Sequence, residues 1–329
     1  MILNLAGFRI KILCPHGQDT IRLSLSHASL LSKGPEDFKL LVIYSDRFLF
    51  GDPLLHAIPA AIDLPRLAEG QSDWCSKVDY SDRRILLQGI HPEPPHHVVW
   101  EMQLDPSEGT GQLCLPHSSR NQDPLQYPVD ALLIFYLLIF NTGIIVHASG
   151  AGFHGNCSIF AGESGAGKST IARYCQVAGA RILHEDRIVI RKTGEQFTAY
   201  RMPLFPGNLP VFMPLETIYF IEQSDSIYEI PLPPQVAFEK LACHSVQHPF
   251  HPELVERQIS NIISIAQSVP CYRLGFPPDP EVGRYLSRPP DPGTGFAWKP
   301  IALCPAQKGV KPKIPDYRTV HDAIHKPGH

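Results

Sequence analysis

Between residues 1 and about 127, short apolar or alternating runs such as "FRIKILC", "KLLVIY", "RRILLQGI" and "HVVWEMQL" are separated by clusters of Gly, Pro, Asp and Ser. Alternation at a period of two, punctuated by turn residues, predicts strands and hairpins in a mostly antiparallel β region. From 129 to 222 the pattern becomes helix, strand, loop, helix, strand, the order expected of an α/β unit. Further on, "RIVIRKTGEQFTAYRM" predicts two strands joined around Thr193 and Gly194, and "ETIYFIEQ" another. Val255, Ile259, Ile262, Ile263 and Ala266 predict one apolar face of a helix over 253–267. "CYRLGF" follows as a strand and "DPEVGRYL" as a short helix. Past residue 287 the chain is rich in Pro, Gly and Lys without periodicity, which predicts a mainly disordered tail. The expected organisation is thus a β region over 1–127, an α/β domain over 128–287 and a tail over 288–329.

One run, "VDALLIFYLLIFNTGIIVHASG" at 129–150, approaches the length of a membrane span. A bilayer needs about 20 consecutive apolar residues, and Asn141, Thr142 and Gly143 interrupt this one. A buried helix over 129–140 followed by a strand "GIIVHA" is the better parse. Composition agrees: 43% apolar residues suit an ordinary globular core, and a net charge of −3 gives no broad attraction to nucleic acid or to an anionic membrane. The eight cysteines are scattered with no CxxC pair, and the first residues do not read as a signal peptide. Reduced thiols in a cytoplasm are expected.

The strongest chemical signal is "CSIFAGESGAGKSTIARYCQVAGARI". Gly162, four residues, then Gly167, Lys168 and Ser169 match the pattern GxxxxGK[ST]. There, glycines let backbone amides converge on phosphate oxygens, the lysine reaches the β/γ-phosphates and the hydroxyl ligates Mg²⁺. "CSIFA" before the loop reads as a buried strand. Ile171, Tyr174, Cys175 and Ala178 recur at helical spacing, with Gly179 as a helix stop. The expected cradle is Gly162, Glu163, Ser164, Gly165, Ala166, Gly167, Lys168, Ser169 and Thr170, binding a nucleoside triphosphate with Mg²⁺ at a helix N-terminus.

In "ARILHEDRIVI", residues 180–190, two adjacent carboxylates interrupt an apolar run. Charges are costly to bury unless something pairs with them. Glu185 and Asp186 follow Lys168 by 17 and 18 positions, enough for one helix, one turn and one strand, so a strand end beside the phosphate loop is expected. Side chains on a regular strand alternate faces. Either the strand ends near His184 and the pair occupies the turn into "RIVIRK", or one acid faces the nucleotide and the other does structural work; the first is expected, with both carboxylates within one water of the Mg²⁺ position.

A His-bearing strand, "GESGAGKS", and a strand ending in paired acids followed by Arg together resemble the catalytic domain of bacterial HPr kinase/phosphorylase and its kinase-like relatives, whose P-loop fold is related to phosphoenolpyruvate carboxykinase. The resemblance covers about 129–222, and more loosely reaches 286. It implies a serine kinase in which the loop holds ATP, Ser169 and Asp186 hold metal, and His147 lies near the reacting group. Glu185 falls on the family's catalytic aspartate and Asp186 on its second acid, so the base is Glu185 with readjusted geometry or Asp186. Thr170 replaces the glutamate typical after the loop serine. "YRMPLFPGN" stands where the family has a glycine-rich signature for its protein substrate. The closer likeness is therefore to the looser HPr-kinase-like proteins, including those of lasso-peptide clusters.

The resemblance implies a protein or peptide carrying the acceptor serine as partner, and allows a homo-oligomer. A small-molecule kinase is the first alternative, weakened by the lack of an arginine-rich lid. A P-loop ATPase switch is the second, with no LSGGQ-like stretch to support the transporter type. Arg201 reads equally as a phosphate contact or a solvated side chain. "CHSVQHPFH" at 243–251 reads as a loop before the helix at 253 rather than a zinc site, and His96 and His97 as solvated loop residues.

Overall fold

The computed structural model describes residues 1–15, 21–48, 75–81, 83–90, 98–203, 212–248 and 251–288. The expectations for His96 and His97, for most of "YRMPLFPGN" and for the tail beyond 288 fall outside the described residues. Met1–Ser287 forms one compact unit built on two sheets.

The first half supplies β1 (Ile2–Leu5), β2 (Phe8–Leu13), α1 (Leu25–Ala28), β3 (Phe38–Tyr44), β4 (Cys75–Ser81), β5 (Arg84–Ile90), β6 (Val98–Asp105) and β7 (Thr110–Leu115). The strands order as β1-β2-β3-β7-β6-β5-β4. Most neighbours are antiparallel, as the alternating runs predict, but β3 is parallel to both β2 and β7. A parallel pairing needs a long crossover, and the β2–β3 connection, which carries α1, provides it.

The second half follows as α2 (Val129–Phe140), β8 (Gly143–Phe153), β9 (Asn156–Ala161), α3 (Lys168–Val177), β10 (Arg181–His184), β11 (Arg187–Thr193), β12 (Gln196–Arg201), β13 (Phe212–Gln223), β14 (Tyr228–Pro231), α4 (Pro234–His244), α5 (Pro252–Ser268), β15 (Cys271–Phe276) and α6 (Glu281–Leu286). Pairings run from β8 to β9, β13, β12, β11 and back to β8, so the ladder closes on itself. Strand alternation divides the side chains between two cores. Ile218 and Phe220 of β13 pack with Ala237, Leu241 and Ile265 of α4 and α5. Tyr219 and Ile221, one residue on, pack with Ile171 and Val282 of α3 and α6. The molecule is a mixed α/β fold.

The apolar run at 129–150 resolves into α2 and β8. Residues 129–139 of α2 are all buried, because this helix shares a core with the first sheet and with Ile145, Val189 and Tyr200 of the second. Among the described residues no helix is long and apolar enough to cross a membrane. The helix stops where the polar break predicts, with Asn141 Nδ2 donating to Leu137 O at 2.8 Å. β8 continues to Phe153, however, so His147 sits mid-strand rather than at a strand end.

The predicted face of α5 needs correction. Its buried positions are Leu254, Gln258, Asn261, Ile262, Ile265 and Ala266, whereas Ile263 is exposed. The face turns because two polar residues satisfy buried carbonyls: Gln258 Nε2 donates to Val246 O at 2.7 Å, and Asn261 Nδ2 to the carbonyls of Leu138, Ile139 and Gly143. An apolar count misses such positions because burial follows hydrogen-bond satisfaction as well as hydrophobicity. "CHSVQHPFH" is likewise only partly a loop, since Cys243 and His244 form the last turn of α4.

Candidate functional site

The glycine-rich segment lies between a buried strand and a helix. β9 ends at Ala161 and α3 starts at Lys168, with Gly167 in the left-handed conformation (φ 103°) as its N-cap. Only glycine adopts that geometry without a Cβ penalty. A side chain at Gly162 would meet Ile221 Cγ1 at 2.9 Å and Ala166 Cβ at 3.0 Å, so the loop also needs its first glycine. Lys168 Nζ folds back over the loop, donating to Gly162 O (2.8 Å) and Glu163 O (2.9 Å). Glu163, Ser164, Gly165 and Ser169 are exposed, and Thr170 is half-buried. Below them, buried Ser149 donates from Oγ to Lys168 O at 2.9 Å and ties the helix start to β8. At the far end Gly179 N donates to Gln176 O and Ala180 N to Cys175 O, the paired bonds of a glycine C-cap.

The two acids lie at the same end of the sheet. β8 runs between β9 and β10: Ala148 pairs with Ala161 on one side, and its N–H donates to Asp186 O (3.0 Å) on the other. Two strand spacings, about 10 Å, thus separate the Asp186 backbone from the loop's entry. β8 intervenes, so β10 is the next strand but one rather than the neighbour. β10 ends at His184 as expected. β10 and β11 then follow the same edge of β8 in the same direction, so Glu185 and Asp186 sit at a break in a strand, not in a reversing turn.

The carboxylates diverge at this break. Asp186 is half-exposed, with Oδ1 3.4 Å from His147 Nδ1 and Oδ2 3.6 Å from Arg187 Nε. Glu185 is exposed and makes no ion pair or hydrogen bond among the described residues. Lys168 is electrostatically coupled to Asp186: burial lowers its pKa and the Asp186 charge raises it in part, for a net lowering. The His147 pKa is also lowered, by burial first, with Asp186 opposing and the Lys168 and Arg187 charges adding to the drop. Burial takes His184 down to about 4. This ring stays neutral, and its Nδ1 accepts the backbone N–H of Asp186 and of Arg187, each at 3.1 Å.

Three residues at this end were given no role in the phosphate site by the sequence pattern. Ser149 and His184 are described above. The third, His244, is set by an antiparallel bridge between Val146 and Ser245, whose register puts residue 244 across from residue 147. Its ring lies 6.1 Å from that of Phe220, and burial followed by the Lys168 charge lowers its pKa. Arg201 is buried at the end of β12 rather than solvated.

Two cavities lie away from this site. One of 540 Å³ is lined by Phe153, His154, Arg181 and Met213, and one of 640 Å³ by Tyr80, Arg83, His251 and Arg257. The loop chemistry carries more weight, because outward-facing amides at a helix start bind anions without a deep enclosure. Among the described residues no group of three His, Cys, Asp or Glu side chains converges for a metal. The 243–251 cluster is dispersed: His248 Nδ1 meets Tyr136 Oη at 2.6 Å in the core, and His251 Nδ1 caps α5. Mg²⁺ is still compatible with the donors present. It is commonly held by one or two protein oxygens together with phosphates and water, and Ser169 and Asp186 offer a hydroxyl and a carboxylate.

No family model matches the chain, and no curated protein matches it. A solved structure of the Hpr(Ser) kinase/phosphatase from Coxiella burnetii is similar over 44% of this chain and 91% of that one, at 12% identity and a TM-score of 0.26. A likeness at that identity and score carries no inference about function.

Proposed function

We propose that this chain is an ATP- and Mg²⁺-dependent kinase that phosphorylates a serine hydroxyl of a protein or peptide. One observation supports the reading above the others: the glycine-rich loop with Lys168, the imidazole of His147 and the carboxylate of Asp186 lie side by side at one end of the second sheet, joined through Ala148. The amides of residues 162–170 and Lys168 hold the triphosphate. Asp186 takes the proton from the acceptor hydroxyl as its oxygen bonds to the γ-phosphorus and the bond to the departing ADP breaks. His147 sits 3.4 Å from that carboxylate, where it orients it and can share the proton. Ser169 and Asp186 would hold Mg²⁺, which would neutralise charge on the phosphates.

Transfer of labelled phosphate from ATP to a panel of serine peptides tests the proposal. Lys168→Ala should lower transfer about 100- to 1,000-fold, the scale for removing a preorganised donor from developing charge, with an unchanged circular dichroism spectrum. Wild-type protein that labels no peptide overturns it. Steady phosphate release without any labelled acceptor would make the chain an ATPase, and a labelled metabolite would make it a small-molecule kinase.

A further inference from the structure

The strand ladder assigns the wrong acid to the site. β10 pairs with β8 through Ile182 opposite Ala151, and a one-residue bulge then sets His184 opposite Gly150. Arg187 opposite His147 keeps that register. Continued as a regular strand, the segment would put Glu185 opposite Ser149, on the face Ser149 shares with His147, and would turn Asp186 to the other face. A different arrangement is found. Asp186 meets His147, and Glu185 is left in solvent.

Something must hold the chain off its regular path, and the bonds at His184 do so. Its side chain is buried, and its Nδ1 accepts two consecutive backbone amides, those of Asp186 and Arg187. A side-chain acceptor that takes amides two and three residues ahead competes with the ladder and bends the backbone around itself, as Asn and Asp do in turns. The Asp186 carbonyl, meanwhile, still accepts from Ala148 N, so the break re-aims the side chain without detaching the segment from the sheet.

We propose that His184 is a positioning residue that selects Asp186 over Glu185 as the acid facing Lys168 and His147. This rests on the kinase reading of the same site. The required group is a neutral acceptor at the position of Nδ1. The oxygen of an asparagine side chain reaches that position, and that of glutamine falls one atom beyond it.

His184→Ala, His184→Asn and His184→Gln separate positioning from simple packing. In the Ala and Gln variants kcat for phosphoryl transfer should fall about 10- to 100-fold, the scale for losing a residue that orients a liganding group, with the nucleotide KM within about twofold. The Asn variant should recover most of the loss although its volume is further from that of histidine than glutamine's is. Amide hydrogen exchange, which needs no activity, should quicken at Asp186 and Arg187 in the Ala variant and return toward wild type in the Asn variant. Equal loss in all three variants with thermal melts unchanged, or unaltered exchange at the two amides in His184→Ala, overturns the proposal. If wild-type protein transfers no phosphate, the kinase reading fails by that result, and the exchange measurement alone decides whether His184 holds the break.

Discussion

Among the described residues two histidines form ion pairs with carboxylates, and their surroundings differ in the respect that separates scaffold from chemistry. In the first half His27 is buried between Asp123 (2.7 Å) and Asp130 (3.5 Å), and the Asp123 carboxylate also accepts the amides of Ser24 and Leu125. Side-chain exposure is 4% at His27 and 2% at each aspartate. That cluster joins α1 to the start of α2, with one buried imidazole shared between two carboxylates. In the second half His147 and Asp186 stand at 42% and 44% exposure, 3.4 Å apart, with Lys168 and Arg187 as their electrostatic neighbours. A buried group of charges closed to solvent bears on the fold, while a half-exposed one can still bind and exchange protons.

The sharpest way to break this contrast is to neutralise each acid of the second site in turn. Asp186→Asn should lower phosphoryl transfer about 10²- to 10⁴-fold, the range for losing a general base. Glu185→Gln should leave it within about twofold, as expected of an exposed group with no partner. Glu185→Gln should shift stability by no more than about 0.5 kcal/mol, and paired thermal melts and initial rates will separate loss of rate from loss of fold in both variants. Equal loss of rate in both variants would mean that the divergence of the two carboxylates has no bearing on the chemistry.

The first site should respond in the opposite sense. His27→Leu leaves two buried carboxylates facing each other without a cation, a change that costs about 3–5 kcal/mol, while activity per folded molecule stays constant. The pH dependence follows from the same cluster. Burial pulls the His27 pKa down, but the hydrogen bonds and charges of Asp123 and Asp130 outweigh it and raise it from 6.5 to about 9. A raised pKa favours folding most fully below the unfolded value of about 6.5, and that contribution disappears as pH climbs through about 9. At 1.36 kcal/mol per unit, about 3 kcal/mol is at stake. Urea unfolding at pH 6 and pH 10 should show wild type losing about that much relative to His27→Leu. Parallel loss in both proteins would remove the cluster from the stability account.

The contrast also explains what the chain disclosed in advance. The loop at 162–170 was legible because its spacing, the strand before it and the helix after it are local and agree with one another. The break in the apolar run at Asn141 was legible for the same reason. The choice between Glu185 and Asp186 was not, because it depends on a bulge and on two amides bonded to one imidazole, and alternation alone points to the other acid. His27 and Asp123 are 96 positions apart, so only the folded sheet and α2 bring them together. On α5, Gln258 and Asn261 read as polar and therefore exposed, yet both are buried because each satisfies carbonyls on another element. Local chemistry is readable in the letters, whereas side chains that act across elements are not.

Asn261 provides the smallest and most discriminating test, because it stands on the seam between the two regions. Its Nδ2 lies 3.1, 3.2 and 3.1 Å from the carbonyls of Leu138, Ile139 and Gly143, so it joins the last turn of α2 to the first residue of β8. Asn261→Ala leaves buried acceptors without that donor, at a cost of about 1–3 kcal/mol. α2 shares its core with the first sheet, and β8 carries His147 in the second. If the regions form one cooperative unit, native-state hydrogen exchange should show the β5–β6 and β8–β9 amides losing protection by the same amount. A loss confined to β8 and β9 would make the scaffold and the site independently stable, and the stability of the first half would then say nothing about how firmly the second holds its acids.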